Sequence, residues 1–182
     1  MMTFLIILVA LIVAGVFIFN RLVKDRNQVR AGWSDIDVQL MRRHDLVPQL
    51  VAAVKAYADY EQATLTTIIE LRSRSQSAAR LTEKAHLEDE IASGIKQLIA
   101  LAESYPDLKA DTNFQQLQRQ LIEVEDYLQF ARRFYNGAVR IFNTRIESFP
   151  SLLIARPLGF HQADFFAVEG EEVRAAPKIE LS

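Results

Sequence analysis

Three arrangements in this 182-residue chain have spacings that chemistry could use. Asp35 and Asp37 flank a single residue, as a metal site or an acid pair would need. On a helix, however, residues i and i+2 point about 200° apart, so these carboxylates diverge and read as surface hydrogen-bonding groups. Glu83-Lys-Ala-His86 has the Glu-x-x-His spacing of di-iron bundles. Such a site needs a second pair and two facing glutamates, and neither His44 nor His161 follows a glutamate by three residues. Arg132-Arg133 beside Phe134-Tyr135 has the composition of a nucleic-acid or lipid contact, yet two basic residues on a long helix usually belong to its solvated face. There is no nucleophile elbow and no glycine-rich phosphate loop. Cysteine is absent, which excludes disulfides, thiolate zinc sites and cysteine nucleophiles. The net charge of −2, with acids and bases interleaved as in Lys24-Asp25-Arg26, leaves no concentrated basic surface for nucleic acid. The sequence therefore presents no catalytic constellation, no cofactor site and no metal site.

The elements that carry these residues begin with an uncharged run, Thr3 to Phe19. At about 1.5 Å per residue it covers roughly 26 Å, near the lower limit for crossing a bilayer. A cleaved signal peptide would have a basic n-region and small residues before the cleavage site, whereas here Phe17-Ile-Phe19 occupies that place. A helix buried in a soluble core is disfavoured because the run is apolar on all sides. We read residues 1–20 as a transmembrane anchor, with the lipid bilayer as the partner of residues 3–19. Arg21, Lys24, Arg26 and Arg30 follow it, and no basic side chain precedes it. The positive-inside rule then places the N-terminus outside the cell membrane and the rest in the cytoplasm.

Beyond the anchor, apolar residues recur at threes and fours in four stripes. The first is Leu22, Val29, Trp33, Ile36, Leu40. The second is Leu46, Leu50, Val54, Tyr57, Leu65, Ile68, and the third is Leu87, Ile91, Ile95, Leu98, Ala102. The fourth and longest runs from Phe114 to Ile146. Asp45 reads as an N-cap with Pro48 in the first turn, Ser73 to Ala79 as a turn, Pro106 as a break and Thr112 as a cap. Arg42 and Arg43 then fall near a helix end, where positive charge suits the macrodipole. The expected fold is all-α: a transmembrane helix followed by an antiparallel up-and-down four-helix bundle with long helices over 21–168, and a flexible tail, 169–182. A kinked helix continuing through Pro48 is the alternative. The fourth helix exceeds the third in length, so part of its apolar face must pack on the segment after it or on another subunit.

That segment, Phe149-Pro-Ser-Leu-Leu-Ile-Ala-Arg-Pro-Leu-Gly-Phe160, is strongly apolar. Pro150 and Pro157 forbid plain helical continuation, and Gly159 supplies freedom for a close approach. Phe149, Leu152, Ile154, Phe160 and Phe165 are expected to pack on the bundle, because each would otherwise forgo roughly 1.5–3 kcal/mol of burial.

Two blocks together resemble the LemA family of bacterial membrane proteins. One is Trp33-Ser-Asp35-Ile-Asp37-Val-Gln39-Leu with Arg42-Arg43 and Asp45-Leu-Val-Pro48. The other is Tyr135-Asn136, Phe142-Asn143, Phe149-Pro150-Ser151, Ile154-Ala155-Arg156, Gly159-Phe160 and Phe165-Phe166. Leu152 stands where the family usually has Asn, and Phe165 where it often has Tyr. The resemblance implies a helical bundle behind one membrane helix, with those block residues in structural roles, and supplies no reaction. One branch is associated with magnetosome membranes, which implies membrane organisation by analogy. The expected function is a non-enzymatic scaffold that assembles with itself or with other membrane proteins. A metal-binding bundle using His86 and a lipid-sensing module using the Arg21 to Arg30 collar are the alternatives.

Overall fold

Pro48 decides the first helix. A proline has no N–H to give to the carbonyl four residues earlier, and inside a helix it normally forces a kink or a break. In the computed structural model, which describes residues 1–57 and 62–166, the helix nevertheless runs through it. The elements are α1 (Met2–Tyr57), α2 (Gln62–Ser77), α3 (Leu81–Ala102), α4 (Pro106–Ala110), α5 (Thr112–Glu147) and α6 (Leu152–Ala155). All regular structure among the described residues is helical. The acceptor that Pro48 leaves open is the His44 carbonyl, and Arg72 of α2 donates to it from Nε at 2.6 Å. A side chain thus replaces the missing backbone donor. Asp45 is consequently an exposed mid-helix residue and not an N-cap, which corrects the expected boundary.

Two other expected boundaries also move. α2 continues through Ser73 to Ser77, and along it the Ser73 and Ser77 hydroxyls turn back onto the carbonyls of Ile69 and Ser73, both at 3.2 Å. The cap of α5 is Asp111 and not Thr112, since Asp111 Oδ1 accepts the Phe114 N–H at 2.9 Å. Pro106 opens the one-turn α4, where its missing N–H costs little. The expected tail, 169–182, lies outside the described residues.

The chain forms two compact units. One is built on Val38–Gln129 and buries a single core. Val47, Leu50 and Val54 of α1 meet Leu65 and Ile68 of α2, Ile91, Ile95 and Leu98 of α3, Leu108 of α4, and Phe114, Leu117 and Leu121 of α5. Gly94 permits the α2–α3 approach: a Cβ there would stand 2.8 Å from Ile68 Cγ1.

The other unit joins Met1–Asp37 to Phe130–Phe165. Here α1 and α5 bury Leu22, Val29, Ile36, Val139, Phe142 and Ile146. A Cβ on Gly32 would lie 3.1 Å from Tyr135 Cα, so the helices nearly touch at that level. Part of the apolar segment after α5 packs onto this pair. Phe160, 8% exposed, meets the rings of Phe19 and Phe142 at 6.1 and 6.3 Å, and the Arg26 guanidinium lies 5.0 Å over its face. Asn143 brackets Ala163 with two 2.9 Å hydrogen bonds, and Tyr135 donates its hydroxyl to the Asp164 carbonyl at 2.8 Å. Leu152, Ile154 and Phe165 are half-buried. Phe149 is not: at 81% exposed it lies on the outside of the turn that leaves α5, and the inward positions belong to Ala155 and Phe160.

Gly159, with φ +71°, ends this segment's helical turns. Its N–H reaches the Arg156 carbonyl at 3.2 Å, and Phe160 N–H reaches Ala155 at 3.0 Å, the paired bonds of a Schellman ending. We predict that Gly159→Ala costs about 1–2 kcal/mol, the penalty for a Cβ in the left-handed region. Thermal unfolding of the full chain in mild detergent checks this. No change in midpoint would mean that the turn is not held in that conformation.

Candidate functional site

In the Val38–Gln129 unit, polar residues occupy positions that helical periodicity assigns to the core. Arg43 continues the α1 series Ile36, Leu40, Val47, Leu50, Val54, and Glu88 continues the α3 series Ile91, Ile95, Leu98. Both are fully enclosed, at 1% and 0% exposure. Arg43 donates from Nη1 to the Glu88 carboxylate at 3.0 Å and to the Glu88 carbonyl at 2.9 Å, and from Nη2 to Glu125 of α5. The other Glu88 oxygen accepts from His44 Nε2 at 2.6 Å and from the Ser75 hydroxyl. Arg72, on His44's carbonyl, completes a polar network drawn from α1, α2, α3 and α5.

Burial by itself would raise the Glu88 pKa, and it is the largest single influence. The hydrogen bond from His44, the Arg43 charge, the Ser75 hydroxyl and the His44 charge together outweigh it and hold the carboxyl below its ordinary value. Glu88 is therefore an anion whose two oxygens both face donors, Arg43 on one and His44 and Ser75 on the other. It is arranged to bind four helices together, and a poised acid or base would need a free lone pair facing solvent.

Of the sequence-selected residues, Arg43 belongs to this network and the others do not. Asp35 and Asp45 are exposed, and Asp37, Gln39 and Trp33 are half-buried. Arg42 is exposed and meets Gln39 at 3.4 Å and Glu123 at 3.9 Å, a solvated pair worth little. Arg43 is not the helix-end charge its spacing predicts: α1 does not end there, and the side chain is buried. Glu83 and His86 are both exposed on α3, and His86 Nδ1 lies 3.6 Å from Glu90. Among the described residues, no three His, Asp or Glu side chains gather as metal ligands would. His44, Arg72, Ser75, Glu88 and Glu125 were missed. The available signal was a charged residue standing in an apolar stripe.

The second unit offers surface features. Phe130, Phe134 and Ile141 are about half exposed or more, and they fall within roughly a 40° arc of α5 at 100° per residue. Phe130 carries the Arg133 guanidinium 4.7 Å over its ring. Gly137 lies beside this stripe, and a Cβ there would meet nothing within 4 Å. Nearby, an open cavity of about 540 Å³ lies between Phe17, Arg21 and Lys24 of α1 and Ile141 and Arg145 of α5. Arg145 donates to the Asp25 carboxylate inside it. In the same unit, burial and the Asp164 charge raise the Tyr135 pKa, so its hydroxyl remains a donor near neutrality.

The sequence pattern of the LemA family matches residues 32–181. Protein LemA of Metamycoplasma hominis is 28% identical over 170 residues, covering 90% of this chain and 78% of that protein. Magnetosome protein MamQ 2 of Paramagnetospirillum magneticum is 30% identical over 70 residues, 38% of this chain and 26% of its own length. Magnetosome protein MamQ of Magnetospirillum gryphiswaldense is 20% identical over 185 residues, covering 87% of this chain and 68% of that protein.

Proposed function

Because this chain belongs to the LemA family, we propose that it is a membrane-anchored, non-enzymatic assembly module. Residues 3–19 cross the cell membrane once, the N-terminus lies outside, and the body is an antiparallel four-helix bundle in the cytoplasm. Supporting the span, α1 contains a window long and apolar enough to cross a bilayer, with none of it buried against the protein. Two of the relatives are magnetosome proteins by name, which supports a role at a membrane.

The observation that carries the assembly reading is the exposed stripe Phe130, Phe134, Ile141 on α5. Large aromatic side chains in a row on one helix face are a helix-pairing surface, because their burial against a second copy removes apolar area from water. The interior, by contrast, holds a polar network closed on itself, which suits a scaffold. Glu substitutions at Phe130 and Ile141 test this. Phe134 is spared because a Cβ on Gly32 would stand 3.1 Å from its ring, so it also supports the fold. In mild detergent the unaltered chain is expected to have the mass of a multimer, and the double variant that of a monomer with unchanged helicity. A monomer before substitution would overturn the reading.

A further inference from the structure

We propose that the return segment 149–158 is a second membrane contact, lying in the bilayer's interfacial layer beside α1 with Phe149, Leu153 and Leu158 in lipid. This rests on the reading that residues 3–19 span the membrane. The segment divides its apolar residues between two directions. Ala155 and Phe160 are buried inward, whereas Phe149, Leu153 and Leu158 are 81%, 64% and 56% exposed. In an amphipathic element with protein on one side, an outward apolar face needs a second apolar phase.

Its position identifies that phase. A Cβ on Gly15 would lie 3.9 Å from Ile154 Cδ1, and Phe160 meets Phe19. Gly15 and Phe19 belong to the last five positions of the apolar run. Residues 1–14 are all exposed, and partial cover begins at Gly15 and Ile18. The segment therefore stands where the hydrocarbon of one leaflet gives way to headgroups. Arg21 and Lys24, within two turns of Phe19, fall at the level of lipid phosphates, and Arg156 is exposed with a stem long enough to reach the same level.

Backbone hydrogen bonding fits the same environment. Non-helical chain enters low-dielectric surroundings only when its polar groups are satisfied internally. Every backbone N–H from Leu152 to Phe160 has an acceptor between Ser148 and Arg156, and Pro150 and Pro157 have no N–H to satisfy.

The cysteine-free chain allows a direct test. Leu153→Cys, Leu8→Cys and Asn27→Cys would each carry an environment-sensitive fluorophore, with the full chain reconstituted in vesicles of phosphatidylcholine and phosphatidylglycerol. Lipids bearing a nitroxide on the acyl chain quench probes in the bilayer, and iodide quenches probes in water. The proposal expects the Leu153 and Leu8 probes to lose most of their emission to nitroxide lipid, and the Asn27 probe to iodide. If the Leu8 probe is quenched by lipid but the Leu153 probe by iodide, the proposal fails while the span stands. A Leu153 probe shielded from both quenchers would mean that a second copy covers the segment, which also overturns it. A Leu8 probe quenched by iodide would show that the span itself is wrong. Leu153 is exposed, so its replacement leaves the packing of Ala155 and Phe160 intact.

Discussion

Glu88→Ala is expected to remove roughly 3–5 kcal/mol of folding stability, the scale seen when one partner of a buried ion pair is deleted. The change strands Arg43, at 1% exposure, with only Glu125 and a carbonyl, and leaves His44 and Ser75 without their acceptor. Urea unfolding of the full chain in mild detergent, followed by circular dichroism, measures the loss. Arg43→Met combined with Glu88→Leu should cost clearly less than the sum of the two single changes, by about 0.5–3 kcal/mol of coupling. A loss below about 1 kcal/mol for Glu88→Ala, the range of exposed pairs, would mean that water reaches the network.

The same residue sets a pH dependence. Glu88's folded pKa is depressed from its ordinary value of 4.5, so the folded state favours the anion more than the unfolded chain does. Its contribution is complete above about pH 4.5 and is lost as pH falls from there through the folded value. Glu88→Gln keeps the shape and removes the charge. It should lower stability at neutral pH and flatten the acid limb, because its protonation no longer differs between the two states.

The second large effect concerns Pro48 and Arg72. Arg72→Met should cost about 1–3 kcal/mol, because the His44 carbonyl then has neither a backbone nor a side-chain donor. In a Pro48→Ala background the alanine N–H can close the ordinary helical bond, and the cost of Arg72→Met should fall to the loss of side-chain packing alone. A double-mutant cycle by urea unfolding separates the cases. Equal costs of Arg72→Met in both backgrounds would show that Arg72 acts independently of the proline.

Helical content was legible because it is a local, periodic property. The stripes Leu22 to Leu40, Leu87 to Ala102 and Phe114 to Ile146 reappear as buried faces of α1, α3 and α5. The apolar run at Thr3 to Phe19 needs no partner to be recognised, since its composition alone sets its preference for hydrocarbon. Gly159 was legible as a point of conformational freedom, and Phe160 as a residue that must dock. The family blocks were legible in combination, and the LemA family pattern matches residues 32–181.

What only the tertiary structure decided were the contacts between residues far apart in the chain. Pro48 predicts a break unless a donor arrives from elsewhere, and that donor, Arg72, sits on a different helix 28 positions away. Arg43 suits a helix terminus as well as it suits a core pair, and the choice fell to Glu88, 45 positions on. Phe149 and Phe160 have the same hydrophobicity, but the turn after α5 leaves one outward and takes the other in. Periodicity states which face of a helix prefers to leave water; it does not state which polar group on a distant helix will satisfy a buried charge or an open carbonyl. That pairing is a property of packing, and in this protein packing carries α1 through Pro48 and closes the polar network among α1, α2, α3 and α5.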